Sequence, residues 1–566
     1  MKLKRILAMS FAASALVFTS CSNDELEGGD LNPAESGKGF ISVAFTTNTN
    51  SSRAAVDDNN NGDGHGNTED SGHHTYGTEA ENKITSVMII GIGTNPANSF
   101  SKYYASVDVS DATGDFSMSG TGSSAIYSTQ AIEVSADTYT VNVIVNPSSE
   151  IINLSPSQIE AYAFSGGTLA DALEKVIGTS TSPAFMMSGK ESSTITVNAT
   201  NSTAATAATG DAVEVERVVA KIAFRPTTCT KYADGTDCTP APTTPNIYPV
   251  KVTFKKGTLN TTTNITTWET VTKTWYVKLE KYALVNLNKQ NYAIRHTTDD
   301  FTDATKVKIG KGSLQAGEWL VDPLSFTKNS ADPTAAGWNG NTYFFNSLTD
   351  VTTATVTGTD AALNPYFFTM PDGTKNDTGE VSSDHNGINN IGTPLSYCFE
   401  NAVTTTKQTL GLSTGIAIQA KLYKDADCTA AIDENLYRYA GNYYTALTDL
   451  EAAYKDDPTY GEGKLTGKTD VELEALGIEH FVGGKCYYYT SQIKHFDDGN
   501  NTTMGVMEFA IMRNNIYSLA VESIGEIGTS SLTPYTPGTP DEEPKTYIKV
   551  QAKILPWIVR FNNIKF

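Results

Sequence analysis

Three groups of residues have types and spacing that chemistry could use. Gly411-Leu412-Ser413-Thr414-Gly415 fits the G-x-S-x-G pattern of a nucleophile elbow, where a strained strand-to-helix turn lifts a serine hydroxyl toward a base. Ile416 to Tyr423 alternates as a strand instead of continuing as a helix, so the pentapeptide reads as a hairpin loop. Asp57-Asp58-Asn59-Asn60-Asn61-Gly62-Asp63 opens like a calcium loop, but its twelfth position is Thr68 and Glu69 comes one residue late. Without the bidentate carboxylate it reads as a solvated linker. Cysteines make the third group. Setting Cys21 aside leaves Cys229, Cys238, Cys398, Cys428 and Cys486, an odd number with no metal-ligand spacing. Cys229 and Cys238 are near enough in sequence to close a small loop, and a disulfide or two free thiols both fit that spacing. His73-His74 lies in a polar tract and the other histidines are scattered. No metal, cofactor or catalytic residue is expected, and no carboxylate pair identifies itself as a glycosidase's. Trp338 and Tyr487 to Tyr489 would suit a glycan platform if exposed and a sheet core if not.

The elements that would have to position such groups follow from composition. The 566 residues carry a net charge of -22 with pI near 4.8 and no basic run, which argues against a nucleic-acid partner. Charged residues are only 18% of the chain, and Thr, Ser, Asn, Gly, Tyr and Phe are plentiful, the usage of an extracellular β-protein. Residues 1–20 have a cationic start at Lys2, Lys4 and Arg5 and an apolar run from Ile6 to Phe18, as in an export signal. Leu16-Val17-Phe18-Thr19-Ser20-Cys21 resembles a lipobox, with Phe18 where Leu is usual, so Cys21 is the expected lipidation site. No later stretch approaches about 18 continuous apolar residues, which leaves the lipid as the expected membrane anchor.

Ile41, Val43 and Phe45 alternate with small residues as in a half-buried strand. A polar tract follows with a lone basic residue, Arg53, accessible to an Arg-specific protease. From Lys83 onward short apolar runs recur between turn signals, as in a β-sandwich. Helices are expected only at Leu169 to Ile177, Leu447 to Lys455 and Asp470 to Leu476. The Ala, Thr and Ser tract from Asn198 to Gly210 is the expected domain boundary, with a single strand from Val213 to Phe224 after it. Met507 to Ser523 reads as two strands meeting at Arg513-Asn514-Asn515, where Asn tolerates a left-handed turn. Prolines at 534, 537, 540 and 544 suggest a stiff extended spacer. Behind it Ile548, Val550, Ala552 and Ile554 alternate with Lys549, Gln551 and Lys553 and run on through Trp557 to Phe566, a strand long enough to leave its own domain.

Met512-Arg513-Asn514-Asn515-Ile516-Tyr517 and Ile554-Leu555-Pro556-Trp557, in this order and joined by a Pro-rich stretch, resemble the turn and terminal strand of the Bacteroides-type fimbrillins, the type V pilins with Mfa-type and FimA-type major subunits. Val215 to Lys221 is similar to a strand near that family's domain junction. The resemblance implies two transthyretin-like, Greek-key β-sandwich domains with short helices and long loops, plus a C-terminal donor strand. The implied layout is a lipoprotein signal over 1–20, a propeptide with lipidated Cys21 and a plug strand over 21–53, domains over 54–210 and 211–532, and spacer with donor strand over 533–566. It implies a non-enzymatic stalk subunit of surface fimbriae serving adhesion, delivered to the outer membrane as a lipoprotein. A gingipain-like, Arg-specific protease would cut between Arg53 and Ala54 and release the plug of Ile41, Val43 and Phe45. A neighbour's donor strand of Ile548, Val550, Ala552, Ile554 and Trp557 would then fill the groove, with other copies and accessory subunits as partners. A surface glycan-binding lipoprotein of β-sandwich type is the alternative, and the first strand as a permanent sheet member, or the last pairing within its own domain, is the plainer reading of each.

Overall fold

The computed structural model describes residues 37–47, 78–109, 114–120, 125–229, 231–260, 265–310, 318–372, 392–495, 500, 503–542 and 548–556. The chain is mainly β with short helices, the class its composition suggests. Cys21, Arg53, Ala54, Trp557, the Asp57 to Gly62 tract and His73-His74 lie outside the described residues.

Strands β1 (Lys38–Ile41), β2 (Ala44–Thr46), β3 (Val87–Gly93), β4 (Phe100–Tyr104), β5 (Phe116–Ser119), β6 (Ile126–Thr129), β7 (Ile132–Ser135) and β8 (Asp137–Val145) form the first half of the molecule, with β9 (Met187–Gly189), β10 (Ser193–Val197) and β11 (Val213–Arg217). All but β1 and β7, which pair with each other, join one nine-stranded sheet ordered β4-β3-β8-β9-β11-β2-β6-β5, with β10 also on β8. Val-Met-Ile-Ile in β3 has no polar position because the strand is covered on both faces, whereas β7 alternates buried Ile132 and Val134 with exposed Glu133. Side chains of β1, β2, β3, β8 and β11 meet in one core.

A second set comprises β12 (Ala220–Phe224), β13 (Ile247–Asn260), β14 (Ile265–Val285), β15 (Thr393–Cys398), β16 (Gly415–Tyr423), β17 (Lys485–Thr490), β18 (Asn515–Ile524) and β19 (Ile548–Pro556). Four of them make a sheet ordered β15-β12-β18-β19, and the long hairpin β13/β14 leads a separate sheet through β16 to β17. The single strand expected over Val213 to Phe224 is broken. Val218 and Val219 are fully buried in the crossing from the first sheet to the second, with the Val218 amide donating to Met186 and the Asn514 amide donating to Val219. Apolarity there reports a buried crossing, not continued pairing.

Helix α1 (Leu169–Ile177) has the expected bounds, capped by a reciprocal Thr168–Asp171 pair. Helix α2 (Leu348–Thr357) is not among the helices expected from sequence. Its Thr and Val content hides it, but Ser347 accepts from the Asp350 amide and Gly358 closes it at φ +66°, so the caps were the readable signal. Helices α3 (Leu447–Ala453) and α4 (Asp470–Ala475) fall where expected. The strand expected before Arg513 is absent: residues 506–509 form turns, and only Ile511 makes a bridge, to Asn401. Asn514 itself is left-handed at φ +58°. The Pro-rich stretch is docked rather than free, with Leu532, Tyr535, Asp541 and Glu542 buried.

Candidate functional site

The leading segment sits in a slot with walls on both sides. β2 pairs antiparallel with β6, placing Phe45 opposite Tyr127, and parallel with β11, placing Phe45 opposite Val213. β1 pairs with β7 from Lys38↔Ser135 to Ile41↔Ile132, and its other side meets Ala208, whose amide donates to Phe40. Between the two strands the Ser42 amide donates to Ala208 and the Val43 amide to Thr129 Oγ1. Ile41, Val43 and Phe45 are 0%, 1% and 0% exposed, so the period-2 pattern marks the buried face. Phe45 stacks on Tyr127 at 5.2 Å and meets Phe116 edge-on at 6.2 Å. Removing this segment would strip β6, β7 and β11 of backbone partners and open an apolar trench beneath them.

The final strand is held differently. β19 pairs antiparallel with β18 from Asn515↔Pro556 to Ile524↔Ile548, with Ile554 opposite Tyr517, Ala552 opposite Leu519 and Val550 opposite Val521. Among the described residues it has no second neighbour in its sheet. In this chain the strand read as leaving its domain is paired at home. β1 and β2 with the two residues between them span the same nine positions as β19.

Between the two strands lies a buried polar junction centred on the Arg513-Asn514-Asn515 turn. The fully buried Arg513 guanidinium donates to Glu400 Oε2 at 2.6 Å, to the Tyr292 carbonyl at 2.9 Å and to Ser188 Oγ of β9 at 3.4 Å. Glu216 of β11 is ion-paired with Arg295, and burial pushes its carboxyl up against the opposing pull of Arg295 and Arg513. The Arg217 guanidinium donates to Asn514 Oδ1 at 3.2 Å and to the Glu81 carbonyl at 3.1 Å, while Lys221 pairs with Glu81 at 3.0 Å. β11, which walls the slot, is thus bonded to the turn from which β18 starts.

The docked Pro-rich stretch ends in a cluster of buried acids. Asp541 accepts from Ser413 and Ser491, both at 2.5 Å, so the serine of the elbow-like motif binds a structural carboxylate. Lys494 pairs with Glu508 at 2.6 Å and Glu542 at 2.7 Å. Burial pushes Asp541 up to about 7, opposed by the two serine hydroxyls, and burial pushes Glu508 up to about 8 although Lys494 pulls down. A carboxyl raised in the folded state binds its proton more tightly folded than unfolded, so its contribution is full below its ordinary value and is lost as pH rises through the folded one. His296, lowered to about 4 by burial, opposes this trend only below about pH 6.5. Between pH 6.5 and 8 the melting temperature should therefore fall by a few degrees, and Asp541→Asn should flatten that slope; calorimetry across the range checks it. Nothing in the sequence marks Asp541 beyond its place directly after the prolines.

Other sequence candidates are placed as follows. Cys229 and Cys238 are buried with Sγ atoms 2.7 Å apart. Cys398 and Cys486 are buried singly and burial pushes both thiols up to about 12. Gly411 to Gly415 leads into β16, a strand, as read. Tyr487, Tyr488 and Tyr489 are core residues, and Trp338 stacks on Tyr343 at 5.4 Å. Among the described residues no group of three or more His, Cys, Asp or Glu side chains could hold a metal ion.

Residues 479–563 match the family model described as major fimbrial subunit protein type IV, fimbrillin, C-terminal. That stretch is fimbrillin-like. It contains β17, the Arg513 turn, β18, the docked prolines and β19, so both motifs that carried the resemblance lie inside the fimbrillin match. Two solved structures are similar at low identity: a putative cell adhesion protein from Parabacteroides distasonis (12% identity, 92% of this chain and 99% of that one, TM-score 0.38) and a fimbrilin, FimA, from Porphyromonas gingivalis (15%, 87% and 96%, TM-score 0.36). No curated protein matches. The fimbrillin match supports a fimbrial subunit that assembles with others at the cell surface.

Proposed function

We propose that the protein is a stalk subunit of surface fimbriae, polymerised by protease-triggered strand exchange and supporting adhesion and colonisation. It reaches the outer membrane as a lipoprotein through Cys21, is cut between Arg53 and Ala54 by an Arg-specific, gingipain-like protease, and loses residues 21–53 with the plug of Ile41, Val43 and Phe45. The β19 segment of a second copy, with Ile548, Val550, Ala552 and Ile554 facing the trench and Trp557 beyond, then takes the plug's place.

The observation that supports this most is the difference in neighbours. Among the described residues β19 pairs at home with β18 alone, whereas the nine-residue segment in the slot pairs with β7 and β6 on one side and meets Ala208 and, at Phe45 and Thr46, β11 on the other. Exchange replaces the β18 ladder by backbone partners on both sides of the slot, and it buries apolar side chains in a trench that cleavage would expose. Because donor and acceptor are different surfaces, head-to-tail transfer builds a filament.

Protein taken from sheared surface filaments should begin at Ala54, and Arg53→Ala should leave a lipid-bound monomer. A filament subunit that still starts at Cys21 by N-terminal sequencing would sink the proposal.

A further inference from the structure

We propose that residues 533–542 remain on the donor's own body during exchange, and that only the chain beyond Glu542 passes to the second copy. The inference rests on the strand-exchange reading above and adds where the transferred arm begins.

The Pro-rich stretch is fixed at every level. Its backbone forms a short ladder with residues 408–410: the Gly538 amide donates to Leu410 at 2.7 Å, the Leu410 amide to Thr539 at 2.8 Å, the Asp541 amide to Gln408 at 3.2 Å, and Thr409 bridges Pro540. Leu532 and Tyr535 sit in a core with Leu348 and Val351 of α2 and Tyr487 and Tyr489 of β17. Gly538 is left-handed at φ +89°, and a Cβ there would lie 2.3 Å from Thr334 Cγ2, so the chain passes too close to the body for another residue.

Its end is anchored by charge. Ser413 and Ser491 converge on the Asp541 carboxylate, Gln492 Nε2 donates to the Asp541 carbonyl at 2.9 Å, and Lys494 holds Glu542. Lifting this segment would leave Lys494 and Glu508 buried with one partner fewer and two serine hydroxyls without their acceptor. Peeling β19 breaks its edge ladder with β18. The segment read from sequence as part of the transferred arm is therefore its clamp.

The consequence is geometric. From Glu542 to Ile548 is six residues, at most about 20 Å fully extended. The acceptor's slot must then lie within that reach of the donor's Lys494, whereas an arm released at Leu532 would reach about 50 Å. The partner is thus a second copy held close to the donor where residue 542 leaves its body.

Two engineered disulfides in the full precursor separate the ideas. Thr409→Cys with Pro540→Cys staples the clamp, and Ser518→Cys with Lys553→Cys staples β19 to β18, each pair being opposed in register. After oxidation and Arg-specific cleavage, the clamp staple should leave filament yield unchanged and the β19 staple should abolish filaments until reductant is added. If both staples abolish filaments reversibly, the clamp proposal fails while strand exchange stands. If the β19 staple leaves filaments intact, strand exchange fails and this proposal with it. Should a cysteine variant not fold, hydrogen exchange on unmodified protein decides: the Gly538 and Asp541 amides should be equally protected in precursor and filament, and loss of their protection in the filament would overturn the clamp.

Discussion

A chain that ends at Glu542 should form no filaments after Arg-specific cleavage, although it should fold and still accept a strand. Such a chain lacks β19, so it has nothing to place in a neighbour's slot. It keeps β1, β2 and their walls, so cleavage still opens the slot. Mixed as a minor component with full-length protein, it should terminate growing filaments and shorten their mean length several-fold, as read by electron microscopy and by ladders on mildly denaturing gels. A peptide of residues 543–566 should bind the uncleaved truncated chain once, at its uncovered β18 edge, and the cleaved one at a second site as well, the opened slot. Uncovering β18 will cost the truncated chain some stability, because that strand is buried along nearly its whole length. Filaments of normal length from the truncated chain alone would remove the final strand from any account of assembly.

Arg513→Ala should destabilise the folded chain by about 3–5 kcal/mol, the range for removing one partner of a buried ion pair. Arg513 and Glu400 are both 0% exposed, and the guanidinium also satisfies the Tyr292 carbonyl and Ser188. Loss of the arginine strands the Glu400 carboxylate and weakens the field that holds Glu216 on β11. Replacing Arg513 and Glu400 together by methionine should recover most of the loss, since no uncompensated charge then remains. Urea denaturation of the two single variants and the double one measures the coupling. A single-variant cost under about 1 kcal/mol, the size of an exposed pair, would mean that water reaches the junction.

Much of this arrangement was legible before any coordinates. The alternation of Ile41, Val43 and Phe45 gave both a strand and its buried face, because period 2 with small residues between has few other readings. The Asn514 turn and the bounds of α1 were readable from local chemistry: an Asn that tolerates positive φ, and a Thr-x-x-Asp cap. What stayed hidden depended on partners far along the chain. α2 is built from β-branched residues whose propensity points elsewhere, and tertiary packing of Leu348 and Val351 overrides it. The run from Met507 to Met512 looks like a strand because it is apolar, yet Met507, Ala510 and Met512 pack around Leu320 without a ladder. The prolines suggested a free rod because proline stiffens a chain, and nothing local announces that Asp541 is received by serines 50 and 128 positions away in sequence. Of the slot, the plug was readable and so was a strand starting at Val213, but not that β6 and β11 stand on either side of the plug, since strand order is not written in periodicity.

The polar junction around Arg513 also decides how a fibre of these subunits would answer tension. Force entering a subunit through a foreign strand lodged beside β11 passes through Glu216 and Arg217 into the Arg513 turn, and from there through β18 and the body to the point at residue 542 where the outgoing arm departs. The turn on that route is braced by a buried ion pair, Arg513 with Glu400, which salt in the medium screens little. Rupture under flow is then expected at the joints between subunits before unfolding within them, and changes in seawater-like or dilute surroundings should leave the breaking force nearly the same.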